Sequence, residues 1–110
     1  MAIELAQQEA EQRIASPWQP TKNTLDLKHL GKLSEELAEL SQVVARCIIQ
    51  GVDEVHPVTG KSNKLWLAEE VADVYANLYL LEEHFSLDTE FVYRRSGEKL
   101  EFLESWHGMK

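Results

Sequence analysis

The chain has 110 residues, a length that suits one domain with a modest core. Hydrophobic residues make up 44% and charged residues 27%, which excludes a disordered or fibrous chain. A formal net charge of −8 argues against sequence-independent binding to a nucleic acid polymer, which needs Lys and Arg to neutralise phosphates, yet leaves room for phosphate ligands that arrive with metal ions.

The opening stretch MAIELAQQEAEQ lacks the basic start and apolar run of a signal peptide. Ile3, Ala6, Ala10 and Ile14 recur at helical spacing and predict a weakly amphipathic helix over 2–15. Pro17 and Pro20 break that pattern across 16–24. A strongly periodic helix is expected over 25–50, with Leu30, Leu33, Leu37, Leu40, Val44, Cys47 and Ile48 on one stripe and Gly51 as its stop. Residues 51–64, GVDEVHPVTGKSNK, read as a loop long enough to expect a job of its own. A third helix is predicted over 65–85, capped by Ser62 or Asn63, with Leu67, Val71, Val74, Leu78, Leu81 and Phe85 as its stripe. A fourth is predicted over 89–106, carrying Phe91, Val92, Leu100 and Leu103 and weakened by Gly97. With no convincing strand and no repeat, the fold class is all-α, a four-helix arrangement in one domain over 1–110. No segment has the roughly 18 apolar residues of a membrane span. Cys47 is the single cysteine, so no intrachain disulfide can form; a reducing, cytoplasmic location is expected. On the apolar stripe, Cys47 reads as a small core residue.

Two acidic patterns stand out: Glu35-Glu36-Leu37-Ala38-Glu39 and Glu69-Glu70-Val71-Ala72-Asp73. Each places carboxylates at i and i+3, neighbours on a helix. At about 100° per residue, with Leu33 at zero, Glu36 falls near −60° and Glu39 near −120°. With Leu67 at zero, Glu70 and Asp73 fall at about the same two offsets. If the two helices pack antiparallel, equal offsets of the same sign point to one side of the pair. Four carboxylates would then converge beside the core. Oxygen-only ligands favour magnesium, manganese or calcium, and magnesium fills its octahedron with water and substrate phosphates. The plainer alternative is a solvated acidic face, since charged residues mostly sit outside. Glu35 and Glu69 point further toward solvent. A di-iron bundle would need Glu-x-x-His on two helices, and only Glu104 to His107 fits, so that alternative is disfavoured.

Other candidate contacts surround this flank. Asn77, one turn after Asp73, could bond a base or sugar edge, or simply be a surface amide. Trp66, one turn before Glu70, and Trp18, in its Pro-flanked segment, could stack on a base, though packing over helix ends is the commoner role of Trp. Lys61 and Lys64 close the long loop and could reach phosphates as point charges. Arg94, Arg95 and Lys99 form a second basic cluster, for which a solvated role is the safer expectation. His29 and His84 lie beside the acids and read as structural.

EELAE at 35–39 followed by EEVAD at 69–73 resembles the EExxE and ExxD signature of MazG-like nucleotide pyrophosphohydrolases. These all-α enzymes are related to dimeric dUTPases and dCTP pyrophosphatases. The similarity runs from about Trp18 to Leu87, carried by LGKLSEELAELSQVVARCIIQG and LAEEVADVYANLYLLEEHFSLD, and suits small phage or bacterial members. The resemblance implies a magnesium-dependent hydrolase, with manganese as an alternative ion, that splits NTP or dNTP into monophosphate and pyrophosphate in nucleotide-pool house-cleaning. It implies that Glu36, Glu39, Glu70 and Asp73 are both the metal ligands and the catalytic residues. It further implies a homodimer or dimer of dimers, with sites near subunit contacts. Which carboxylate accepts a proton from water stays open, as does the preferred base. Two other functions compete: a non-catalytic helical module that oligomerises, and a binder that holds nucleotide without turnover.

Overall fold

Asn23 opens the first long helix. Its backbone is extended (φ −67°, ψ 128°), and its side-chain oxygen accepts from the N–H groups of Leu25 and Asp26, both at 3.0 Å. Those donors have no partner within the helix, so the cap meets their need. In this computed structural model, which describes residues 2–7 and 16–110, helix α1 spans Thr24–Gln50. Its 27 residues give a rod about 40 Å long. Gly51 ends it at φ 102°, a conformation open to a residue without Cβ, and its N–H donates to the Cys47 carbonyl at 2.9 Å. Residues 2–7 are helical; the rest of the expected first helix, 8–15 with Ala10 and Ile14, lies outside the described residues.

Helix α2 spans Asn63–His84, with Ser62 as its cap, and α3 spans Thr89–Trp106, capped by Asp88. The last helix runs through Gly97 without a break. Among the described residues there is no strand; a single antiparallel bridge, Val55 to Ser62, closes the loop between α1 and α2. Asn63, 3% exposed, welds that loop to the hairpin. Its Nδ2 donates to the Gly51 carbonyl at 2.9 Å and to Gln50 Oε1 at 3.2 Å. No described helix is long and apolar enough to cross a membrane.

The two long helices pack antiparallel, because their partners pair in reverse order. Asn63 meets Gln50, Trp66 meets Arg46, and His84 meets Asp26. Helix α3 makes little contact with this hairpin, and the radius of gyration is 20.5 Å against about 13 Å for a compact chain of this length. The buried hydrophobic side chains among the described residues are Val43 and Val74, beside the buried carboxylate of Glu36.

One expectation needs correction. Glu36 does not border the α1 seam but sits inside it, while Glu39 stays half-buried at its edge. Residues His29, Leu33, Glu36, Leu40, Val43 and Cys47 face α2, a line turned about 60° from the centre of the expected stripe. Leu30, Leu37, Val44 and Ile48 from that stripe remain exposed, Ile48 at 80%. The reason is geometric: the apolar arc of α1 is wider than one helix–helix seam can cover.

Candidate metal centre and adjoining cleft

The i, i+3 spacing on each helix aims two carboxylates at the same side, and antiparallel packing brings the two sets together. Carboxylate oxygens of Glu36, Glu70 and Asp73 lie within 4.8 Å of one another. Glu36 is 7% exposed, Glu70 is half-buried and Asp73 opens to solvent, so the group forms a graded mouth. Glu36 Oε2 and Glu70 Oε2 are buried and have no hydrogen-bond partner among the described residues. An ionised oxygen left so is costly, because burial removes its water and nothing replaces it. Like charges this close add repulsion of roughly 3 kcal/mol per pair, trimmed by solvent at the open end. Glu39 stands beside them. The charge of Glu36, then desolvation, then the charge of Glu70 hold its carboxyl above the ordinary 4.5.

Among the described residues one cation touches this group. The Lys32 ammonium lies 3.2 Å from Glu36 Oε1 and 3.4 Å from Glu35 Oε1. Those partners, the hydrogen bond to Glu36 foremost, hold it above the usual 10.5. It leaves the second oxygen of Glu36 unmet. Glu35 and Glu69 are exposed, as their wheel positions predict, and Glu69 pairs with Lys61 at 2.9 Å.

A cleft leads from the acids toward the long loop. Its nearer part, about 350 Å³, is lined by Glu39, Gln42, Val43, Arg46, Trp66 and Glu70. Its larger part, about 550 Å³, shares Arg46 and Trp66 with the nearer part and is lined further by Gln50, Glu54, His56 and Asn63. Volumes of this size take a small ligand. No protein-family model, curated protein or solved structure matches this chain.

The remaining sequence candidates divide. Trp66 is at the centre of the cleft, with Arg46 Cζ 4.5 Å and Lys61 Nζ 4.8 Å from its ring centroid and His56 edge-on at 6.2 Å. Asn77 shares the flank, but its Nδ2 donates to its own helix at the Asp73 carbonyl, 2.8 Å away. Lys64 is exposed and lines neither part of the cleft. Trp18 is 84% exposed; it neither packs over a helix end nor lines the cleft. His29 and His84 stack at 4.1 Å, and His84 Nε2 meets Asp26 Oδ1 at 2.6 Å, a structural tie at the far end of the hairpin. On α3, Arg94 and Lys99 lie over Phe91 and Phe102, away from the acids.

Sequence reasoning missed Lys32 and Arg46. Both were legible. Lys32 precedes Glu35 and Glu36 by three and four residues, the spacing of helix ion pairs. Arg46 is two turns beyond Glu39 on the same flank. His56 and Glu54 were not legible, because only the folded loop brings them to Trp66.

Proposed function

We propose that this chain is a metal-dependent nucleoside triphosphate pyrophosphohydrolase acting in the cytoplasm, and that its helices form a MazG-like bundle completed by a second copy. The observation that carries the reading is the pair of orphaned buried oxygens, Glu36 Oε2 and Glu70 Oε2, grouped with Asp73. A solvated acidic face has no reason to bury carboxylates without partners. A hard cation resolves both the repulsion and the missing bonds, and a set of carboxylate oxygens suits magnesium or manganese. The likeness of residues 35–39 and 69–73 to the MazG-like signature supports the same reading.

In this reading Glu36, Glu70 and Asp73 hold the ion, with Glu39 at its edge. Bound there, it would neutralise phosphate charge and acidify the attacking water. Glu39 lies outside the closest group, and its basicity is raised by Glu36. It is the carboxylate suited to accept the proton of water as the bond between the first and second phosphates breaks, releasing monophosphate and pyrophosphate. Trp66 offers a ring for the base, and Lys61, paired with Glu69 at 2.9 Å, adds positive charge at the rim of the cleft. The exposed ridge Leu30, Leu37, Val44 and Ile48 supports a homodimer or dimer of dimers.

The test is a panel of the eight common NTPs and dNTPs with millimolar magnesium, read for pyrophosphate. At least one nucleotide should yield monophosphate and pyrophosphate, and Glu36→Gln should abolish the reaction. Orthophosphate as the first product would sink the proposed cleavage. Ligand-dependent stabilisation without product would identify a binder, and no response to any nucleotide would leave a helical interaction module.

A further inference from the structure

Arg46 is one of 11 Lys and Arg residues in a chain of net charge −8. It makes no ion pair among the described residues. It rests instead on Trp66, 4.5 Å from the ring centroid, and lines both parts of the cleft: the part that contains Glu39 and Glu70, and the larger part under the loop. Lys61, the other cation over this ring, is tied to Glu69 at 2.9 Å. So one of the two cations on Trp66 is committed, and the other is unspent.

A guanidinium on an aromatic face is held by the ring quadrupole, a modest attraction at a part-exposed site. Two parallel N–H groups on one phosphate make a charge-assisted fork, which is stronger and directional. An anionic tail anchored at the acids through its metal would bring phosphate oxygens into the nearer part of the cleft, where Arg46 already borders the space.

We propose that Arg46 is a phosphate-tail ligand that leaves the Trp66 ring when a polyphosphate docks, and thereby frees the part of that ring it covers for a planar base in the larger part of the cleft. Tail and base are then coupled through one side chain. A nucleoside alone meets a covered ring; a nucleoside triphosphate opens it. By linkage, the tail raises the affinity for the base and the base raises the affinity for the tail by one factor. This rests on the metal reading above, because the acids bind the tail only through a cation.

The test uses the full chain with inorganic tripolyphosphate as probe, in millimolar magnesium, followed by tryptophan emission, alongside thermal unfolding in magnesium and in chelator. Tripolyphosphate should give a saturable change in emission that Trp66→Phe removes, although Trp18 and Trp106 remain. Arg46→Lys keeps the charge but loses the planar fork, and should weaken tripolyphosphate binding about tenfold or more. Arg46→Gln should weaken it further. Both variants should keep the parent's thermal shift with magnesium, which also shows that they fold. For an accepted nucleotide, Arg46→Lys should raise KM more than it lowers kcat. If the parent shows the magnesium shift but both Arg46 variants bind tripolyphosphate like the parent, or Trp66→Phe keeps the signal, this inference fails alone. If the parent shows no magnesium shift, the metal reading fails and takes this inference with it.

Discussion

The Lys32 ammonium sits 3.2 Å from Glu36 Oε1, while the other oxygen of that carboxylate, buried, meets no donor among the described residues. The lysine therefore half-neutralises the deepest acid of the cluster. It binds one oxygen and leaves the buried Oε2 without a partner, in a residue grouped with Glu70 and Asp73.

Lys32→Met separates those two roles. In chelator the variant should unfold at a lower temperature than the parent, because Glu36 loses its counter-ion. Magnesium should bind it about threefold tighter, since a competing positive charge beside Glu36 is gone and exposed charges interact weakly. Thermal unfolding against magnesium concentration reads both effects. Unchanged or weaker magnesium binding would mean that Lys32 does not compete with the ion.

Asp73→Asn tests convergence itself. The side chain is exposed, so a decorative carboxylate would change stability by less than about 0.5 kcal/mol whether or not magnesium is present. In a converging group the loss of one negative charge relieves repulsion. Stability in chelator should then stay level or rise, by up to about 3 kcal/mol, while magnesium stabilises the variant less than the parent. Equal magnesium shifts, with hydrolysis retained, would remove Asp73 from the site.

The raised Glu39 carboxyl sets a pH dependence with a definite sign. Between 4.5, its ordinary value, and its higher folded-state value, the folded protein binds more protons here than the unfolded chain. The charge penalty is full above the folded-state value and is relieved as the pH falls through that window. In chelator, the unfolding temperature of the parent relative to Glu39→Gln should therefore climb as pH drops from 7 toward 4.5. Magnesium should flatten the difference. A parent that falls relative to Glu39→Gln over this range would contradict the crowding of Glu39 by Glu36 and Glu70.

Asn63 is the structural control. Asn63→Ala leaves the Gly51 carbonyl and Gln50 Oε1 without the donor that now meets them at 2.9 and 3.2 Å. A loss of about 1 to 3 kcal/mol is expected in urea unfolding, equal with and without magnesium, because the break is in the loop weld and not among the acids. A loss confined to the magnesium-bound protein would place Asn63 in the site.

The exposed ridge of α1 predicts association. Light scattering should give at least twice the chain mass, and Leu37→Glu with Val44→Glu should reduce it to one. A single-chain mass for the parent at assay concentration would leave the ridge unexplained.

Much of the fold was legible because its signals are local. Gly51 marks a helix end and Ser62 a helix start, and each boundary fell within a residue or two of its expected place. The convergence of Glu36 with Glu70 and Asp73 was legible too, since equal wheel offsets survive antiparallel packing. The rotation of the α1 seam was not. Leu30 and Leu37 carry the same periodic signal as Leu33 and Leu40, and hydropathy alone does not say which leucines face α2. The cleft was only half legible. Trp66 lay on the right flank, but the cations over its ring depend on side-chain direction and on a loop whose turns bring Lys61 back over it.

The hairpin closes like a zipper, and its ends are not equivalent. Near the loop, Asn63 and Gln50 meet across 13 positions of chain; at the other end, His84 and Asp26 meet across 58. Ordering the short span costs less chain entropy, so the loop end is the natural starting point for pairing and the His84 end the natural place for fraying. The acids lie midway. A cation shared by Glu36 and Glu70 would act as a rivet there, and separation of the two helices entering from the His84 end would stop at it. Amide exchange along α1 should show this as a step: with magnesium, protection rises sharply from Glu36 onward, and residues 24–32 continue to open.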